Sequence, residues 1–319
     1  MSARLGESRE VANPSGGVPA GDAGPIGTGD LGELLGLLDL EPAGEDVFLG
    51  HHPAKVWSRT FGGQLVAQAI VAAGRTVETP GSARPPRPLH AVNAHFIRGG
   101  DPKQPIEFRV QCIRDARNLA NRMVVASQDG EELFVMLAAF QDWVPGLEHA
   151  TAPPEVPGPE GLVRVEESFA GFEDKLEMFV KAPRPIEMRF ANDPAWILKG
   201  TGGTLDHNRV WMRADGRLPD DPLIHVAALG YSSDTTVLDS IITTHGLAWG
   251  LDRLLAITVN HSIWFHRPFR FDDWALYATQ SPVAAGSRGL ATGHYYSQSG
   301  ELLATVVQEG CIRHWPSRK

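Results

Sequence analysis

Gln308 is the residue in this sequence whose placement most clearly calls for a chemical partner. Between Leu302 and Arg313 it shares a strand face with Leu302, Ala304, Val306 and Ile312, because side chains two apart in a strand point the same way. A primary amide therefore points where the core should be. Left unpaired it costs on the order of 1 to 3 kcal/mol, so it either bonds nearby backbone or is presented to a reactant. Asp234 poses a similar choice. It stands in Ser232-Ser233-Asp234-Thr235-Thr236, just before Val237, Leu238, Ile241 and Ile242, a pattern that predicts a helix start. A carboxylate there caps the helix and is favoured by the helix dipole; the same position keeps it ionised, as a general base for water requires.

The twelve histidines do not build a metal site. His90 and His95, like His261 and His266, are an odd number of residues apart, so within a strand they point to opposite faces. His51-His52 lacks a third ligand at a known metal spacing. No Walker A motif, H-E-x-x-H or G-x-S-x-G elbow occurs. Gly27-Thr28-Gly29-Asp30-Leu31-Gly32 fits G-x-G-x-x-G by letter, but no strand precedes it, and the motif has meaning only between strand and helix. The expectation is a site with no metal and no cofactor.

The elements that must position these residues come in two similar sets. Ser127-Gln128-Asp129-Gly130-Glu131-Glu132-Leu133 returns as Ser297-Gln298-Ser299-Gly300-Glu301-Leu302-Leu303, with 170 residues from Gly130 to Gly300. Phe96 and Phe265, each followed two residues later by Arg, are 169 apart. A period of that length is domain-sized and argues for a duplicated fold. In the first half, a helix is predicted over Gly63 to Ala73. Strands follow at Ala91 to Ile97, Ile106 to Ile113, Ala120 to Gln128 and Leu133 to Asp142, with Asp129-Gly130 as a hairpin turn. The second half repeats the order after extra strands at Ile186 to Phe190 and Val210 to Arg213: a helix over Ser232 to His245, then strands at Val259 to His266, Trp274 to Ser281, Gly289 to Ser297 and Leu302 to Arg313. Antiparallel strands around one central helix make an α+β class. The expected division is a disordered tail over 1–30, poor in anchoring apolar groups, a first domain over 31–143, a Pro-rich linker and connecting segment over 144–184, and a second domain over 185–319.

Composition excludes several classes of partner. The 319 residues carry a net charge of -9, which argues against nucleic acid and anionic membranes because both demand a basic surface. No stretch approaches the roughly 20 apolar residues of a membrane span, and Met1 to Glu10 has no signal-like hydrophobic region. Cys112 and Cys311 each fall in a predicted strand, where buried free thiols are expected rather than a disulfide. A cytoplasmic protein fits these features.

Phe61-Gly62-Gly63-Gln64, Leu218-Pro219-Asp220-Asp221-Pro222, Tyr231-Ser232-Ser233-Asp234, His261-Ser262-Ile263-Trp264-Phe265-His266-Arg267-Pro268 and Val307-Gln308-Glu309-Gly310 together resemble the type II acyl-CoA thioesterases, the TesB family. The resemblance runs from about Leu31 to Trp315 and implies a double hotdog fold that hydrolyses acyl-CoA as a homo-oligomer. It also implies that Asp234, Thr258 and Gln308 hold the attacking water, and that Gly62, Gly63 and Gln64 contact substrate. The role of Thr258 comes from the resemblance alone. Two departures from the family wording are Arg114-Asp115-Ala116-Arg117-Asn118-Leu119 in place of an Arg-Asp-Gly stretch, and Asn260-His261 in place of Asp-His. Two rival functions use the same scaffold: a hotdog enoyl-CoA hydratase-type lyase, which would want a catalytic His beside its Asp, and a non-catalytic acyl-CoA-binding sensor.

Overall fold

The computed structural model describes residues 31–53, 59–77, 87–180 and 185–315, so the expected tail over 1–30 lies outside the described residues. The chain opens with helix α1 (Leu31–Leu38) and a short hairpin, β1 (Glu41–Gly44) and β2 (Val47–Gly50), which the sequence reading did not anticipate. Helix α2 (Gly62–Val77) and the strands β3 (Leu89–Phe96), β4 (Ile106–Asp115), β5 (Leu119–Gln128) and β6 (Glu131–Gln141) follow. Asp129 and Gly130, both at positive φ, make the β5–β6 turn. The segment over 144–180 forms short helical turns, among them α3 (Glu177–Val180), and buries Val165, Phe169 and Leu176 in the core. Beyond it come β7 (Ile186–Phe190), α4 (Ala195–Thr201), β8 (His207–Ala214), α5 (Pro222–Ser233) and α6 (Asp239–Thr244). The last four strands are β9 (Leu254–Phe265), β10 (Ala275–Ala285), β11 (Arg288–Ser297) and β12 (Leu302–His314).

Twelve strands among the described residues form one sheet in the order β1-β2-β4-β5-β6-β3-β9-β12-β11-β10-β8-β7. Outward from the β3–β9 junction, β6-β5-β4-β2 on one side matches β12-β11-β10-β8 on the other. The register at the junction explains the repeat. Asn93 pairs with Ser262, Val92 with Ile263 and Ala94 with His261. Adding 169 to Asn93 gives Ser262, and adding it to Val92 and Ala94 gives His261 and Ile263, so neighbouring pairs exchange about a pseudo-twofold axis at Asn93–Ser262. The two side chains meet there, Asn93 Nδ2 donating to Ser262 Oγ at 3.0 Å.

Helices α2 and α5 lie side by side and antiparallel on this sheet. Gly63 abuts Tyr231 at one end, Gly230 sits against Val66 and Ile70, and Gly74 meets Leu223 at the other end. A Cβ on Gly74 would fall 2.5 Å from Leu223 Cδ1, so the close helix approach depends on glycine at the contact. The partner of α2 is thus α5, not the expected helix over Ser232 to His245. Asp221 starts it, accepting from the Leu223 N–H at 2.9 Å, with Pro222 in the first turn, a start signal in the sequence that the apolar stripe further on obscured. The helix stops at Ser233, where the Ser232 hydroxyl bonds back to the Leu229 carbonyl at 2.9 Å and the Ser233 hydroxyl lies 2.8 Å from the Gly230 carbonyl. Val237, Leu238, Ile241 and Ile242 instead belong to a loop and to α6, which packs on β8, β10 and β11.

The cysteines also differ from expectation. Both are free thiols, but Cys311 is only half-buried and Cys112 is exposed, the latter because β4 from Gln111 to Asp115 is open to solvent on both faces.

Candidate active site

Asp234 caps the C-terminal end of α5 with φ -88° and ψ -6°; it does not start a helix. The helix N-terminus it meets belongs to the other half of the chain. The Gly63 N–H at the start of α2 hydrogen-bonds to Asp234, and a Cβ on Gly62 would fall 2.5 Å from Asp234 Oδ2. The positive end of the α2 dipole therefore faces the carboxylate. A Cβ on Gly63 would collide with the Tyr231 carbonyl and the Phe61 ring, so both glycines are needed to bring α2 this close.

Two strands deliver the remaining groups. Thr258 on β9 donates through Oγ1 to Asp234 Oδ1 at 3.1 Å. Gln308 on β12 donates through Nε2 to the same Oδ1 at 2.8 Å and to Thr258 Oγ1 at 2.9 Å. Gln308 is fully buried on the face with Ala304 and Val306, and its amide is satisfied by side chains rather than by backbone. Two residues far apart in sequence thus converge on one oxygen of the Asp234 carboxylate. Burial pushes the Asp234 carboxyl up to about 6, against the hydrogen bonds from Gln308, Thr258 and Gly63 that pull it down. At neutral pH the group is ionised and a far better proton acceptor than an ordinary carboxylate. Part of the residue stays open to solvent, so the carboxyl is enclosed without being sealed.

The third member of the expected substrate-binding set lies elsewhere. Gln64 Nε2 points into the first half, donating to the His51 carbonyl at 3.2 Å and to Gln68 Oε1 at 3.2 Å, and meeting His52 Nδ1 at 3.1 Å. A residue the sequence reading passed over does reach the cluster: His261, fully buried, joins its Nδ1 to Gln308 Oε1 and its Nε2 to Ser233 Oγ at 2.8 Å. The face rule that picked out Gln308 would have found it, since His261 shares a β9 face with the buried Ile263 and Phe265. Among the described residues no three His, Cys, Asp or Glu side chains are grouped to hold a metal ion.

A cavity of about 600 Å³ opens at the opposite end of α5, lined by Gly74, Leu89, Phe140, Leu223, Val226 and Phe265 among others. Asp234 is not part of its wall. This cavity is therefore remote from Asp234, the two ends of the 12-residue helix lying about 18 Å apart at 1.5 Å per residue.

Comparison with known proteins places the whole chain. Residues 179–311 match the family model described as Acyl-CoA thioesterase, and residues 53–141 match that of the Acyl-CoA thioesterase N-terminal domain. The chain is 34% identical to human acyl-coenzyme A thioesterase 8 over 95% of its own length and 96% of the relative's. It is also 34% identical to acyl-CoA thioesterase 2 of Haemophilus influenzae, over 89% and 98%. Among solved structures, the acyl-CoA thioesterase II TesB2 of Mycobacterium marinum superposes with a TM-score of 0.70 at 33% identity, covering 90% of this chain and 99% of that one.

Proposed function

The chain belongs to the type II acyl-CoA thioesterase family, a double hotdog enzyme that hydrolyses acyl-CoA, and we propose that water activated by Asp234, Thr258 and Gln308 performs the hydrolysis. Asp234 takes a proton from the water, whose oxygen attacks the thioester carbonyl carbon; the C–S bond breaks, and the proton passes to the departing CoA sulfur. Thr258 spends its hydroxyl proton on Asp234 Oδ1 and one lone pair on Gln308 Nε2, so its second lone pair remains to orient the water. The first turn of α2, with Gly62 and Gly63, contacts substrate and offers a helix N-terminus to the negative charge that develops on the carbonyl oxygen. Gln64 serves by anchoring that turn, since its side chain is bonded to the 51–52 loop.

The observation that carries these roles is the convergence of Thr258 and Gln308 on Asp234 Oδ1 at 3.1 and 2.8 Å. A lyase mechanism would route a proton through a histidine beside the aspartate. His261 has both ring nitrogens engaged and no exposed surface, which disfavours it. The test is Asp234→Asn, which keeps an accepting oxygen and removes the basic charge. Turnover measured by thiol release should fall by about 10² to 10⁴, with the fold intact by circular dichroism. Parent-rate turnover would return Asp234 to a structural role, and an acyl-CoA series in which ligand binds but no thiol appears would favour the sensor.

The organisation around the site follows the same reading. The hotdog units are 31–143 and 185–319, joined by 144–184, a division supported by two separate family matches, 53–141 and 179–311, whose break lies largely within the joining segment. No helix among the described residues is long and apolar enough to cross a membrane. The two free thiols support the reducing cytoplasm, and the net charge of -9 supports a small acyl-CoA partner over nucleic acid. A homo-oligomer is supported by the open sheet face around the pseudo-twofold axis, where Leu137 and Trp264 keep 49% and 37% of their surface exposed. Sedimentation at micromolar concentration tests it, a single monomeric species being the contrary result.

A further inference from the structure

The Gln308 amide has two ends, and the catalytic reading uses only its NH2. A primary amide turned by half a rotation would offer Oε1 to Asp234 Oδ1, setting two lone-pair-bearing oxygens against each other. Something must hold the other end. We propose that His261 is a positioning residue for the hydrolysis, holding Gln308 Oε1 so that the NH2 faces Asp234 and Thr258; this rests on the roles assigned to those three residues.

The hydrogen-bond chemistry permits two self-consistent states. In the first, His261 Nδ1–H donates to Gln308 Oε1, and Nε2, left with its lone pair, accepts from the Ser233 hydroxyl 2.8 Å away. In the second, the Ser233 proton goes to the Gly230 carbonyl, also at 2.8 Å. Nε2 then carries the ring proton, and Gln308 must turn its NH2 towards Nδ1 and its oxygen towards Asp234. An ionised Asp234 excludes the second state, because an amide oxygen cannot replace an amide N–H against a carboxylate. The ionised carboxylate thus selects the first state, in which the Ser233 hydroxyl holds the ring tautomer and His261 Nδ1–H holds the amide oxygen.

Burial pushes the His261 pKa down to about 4, so the ring is neutral when Asp234 is ionised. The tyrosines packed here, Tyr231, Tyr277 and Tyr295, are all raised by burial and neutral; the Tyr277 hydroxyl donates to the Ser233 carbonyl at 2.9 Å. The first half shows that the fold does not itself need this polar pair. There Val92 and Ala138 are paired across β3 and β6 as His261 and Gln308 are across β9 and β12.

The test is a double-mutant cycle on the full-length enzyme. His261→Val installs the residue already accommodated at position 92. It should lower kcat about 10- to 100-fold, the size of one lost charge-linked hydrogen bond, with KM nearly unchanged. The acid limb of kcat/KM should move to higher pH, because Asp234 loses a hydrogen bond that favours its ionised form. In a Gln308→Ala background the same change should cost nothing further. Losses that multiply, or an unmoved acid limb, would overturn the proposal. Should His261→Val not fold, His261→Asn decides, since its amide N–H lies near the place of Nδ1: a parent-like acid limb supports the proposal, and turnover as poor as that of Gln308→Ala overturns it. Parent-rate turnover by Asp234→Asn would instead remove the base reading itself.

Discussion

At one end of the α2–α5 pair, Thr258 is paired with Gly310 and His261 with Gln308 across β9 and β12. At the other end, the repeat offsets of 169 and 170 put Leu89 against Phe140 and Val92 against Ala138 across β3 and β6. Phe96 by Gly62 answers to Phe265 in the cavity wall in the same way, 169 residues on. The backbone is therefore prepared twice, and the side chains are polar once. The four first-half residues are all buried and apolar, so that end contributes core stability. The second-half end holds a carboxylate, an amide, a hydroxyl and an imidazole that must satisfy one another. Neither half holds the site alone, because the carboxylate of the second faces the α2 N-terminus of the first.

After Asp234→Asn, making the polar end resemble the apolar one should have the largest effect. Gln308→Ala, the residue at 138, removes one fixed donor and should lower turnover by about 10², the usual loss for such a group. A stopped assay of thiol release on protein whose melting is also followed separates that loss from unfolding. Turnover within a few-fold of the parent would mean that the amide is packing material at both ends. Gly63→Ala should come next. Its Cβ collides with the Tyr231 carbonyl, so α2 must retreat from α5, weakening the α2 N-terminus at Asp234 and costing about 1 to 3 kcal/mol of overpacking strain. Loss of stability without loss of turnover would show that the first half only supports the site.

How much of this was legible in the sequence depends on the kind of signal each residue gave. Gln308 was readable because β12 keeps strict alternation from Ala304 to Gly310. Thr258 was not, because a register shift between Glu309 and Gly310 breaks the parity just where Thr258 pairs. Asp234 was found for the wrong helix: local sequence marks a polar residue before an apolar stripe, and only the tertiary fold shows that the helix end facing it is α2. His261 carried the same signal as Gln308, but weighing it as half of a metal pair with His266 hid the simpler fact that its own face is apolar. The strands of both halves lay close to their predicted ranges, since hairpin turns and alternation are local properties.

A pH series separates the two ends more gently. With Asp234 at about 6, kcat/KM should fall about tenfold per unit below that pH, and a limb near the ordinary carboxylate value would contradict an enclosed base. Stability should run the other way. The folded-state pKa lies above the ordinary 3.8, so the folded protein binds this proton more tightly than the unfolded chain does. That contribution is complete below about pH 4 and is lost as pH rises through 6, by up to about 3 kcal/mol at 1.36 kcal/mol per unit. Asp234→Asn escapes the loss, so it should melt above the parent at about pH 8 and level with it at about pH 4.

The reverse substitution should touch turnover least and is the sharpest check on the equivalence. Ala138→Gln places in the first half the amide that Gln308 supplies in the second, but its cross-strand partner is Val92 and the residue at the Thr258 position is Leu89. A buried amide with no partner costs about 1 to 3 kcal/mol, and that loss should appear in chemical denaturation with kcat and KM unchanged. Adding Val92→His gives the amide oxygen a donor, so the double variant should recover part of the lost stability while remaining no faster than the parent, because the apolar end still lacks a carboxylate. A single variant as stable as the parent would mean that the two ends are not equivalent in packing. A double variant that recovers nothing would mean that the His261–Gln308 geometry depends on Ser233 and α5 rather than on the strands.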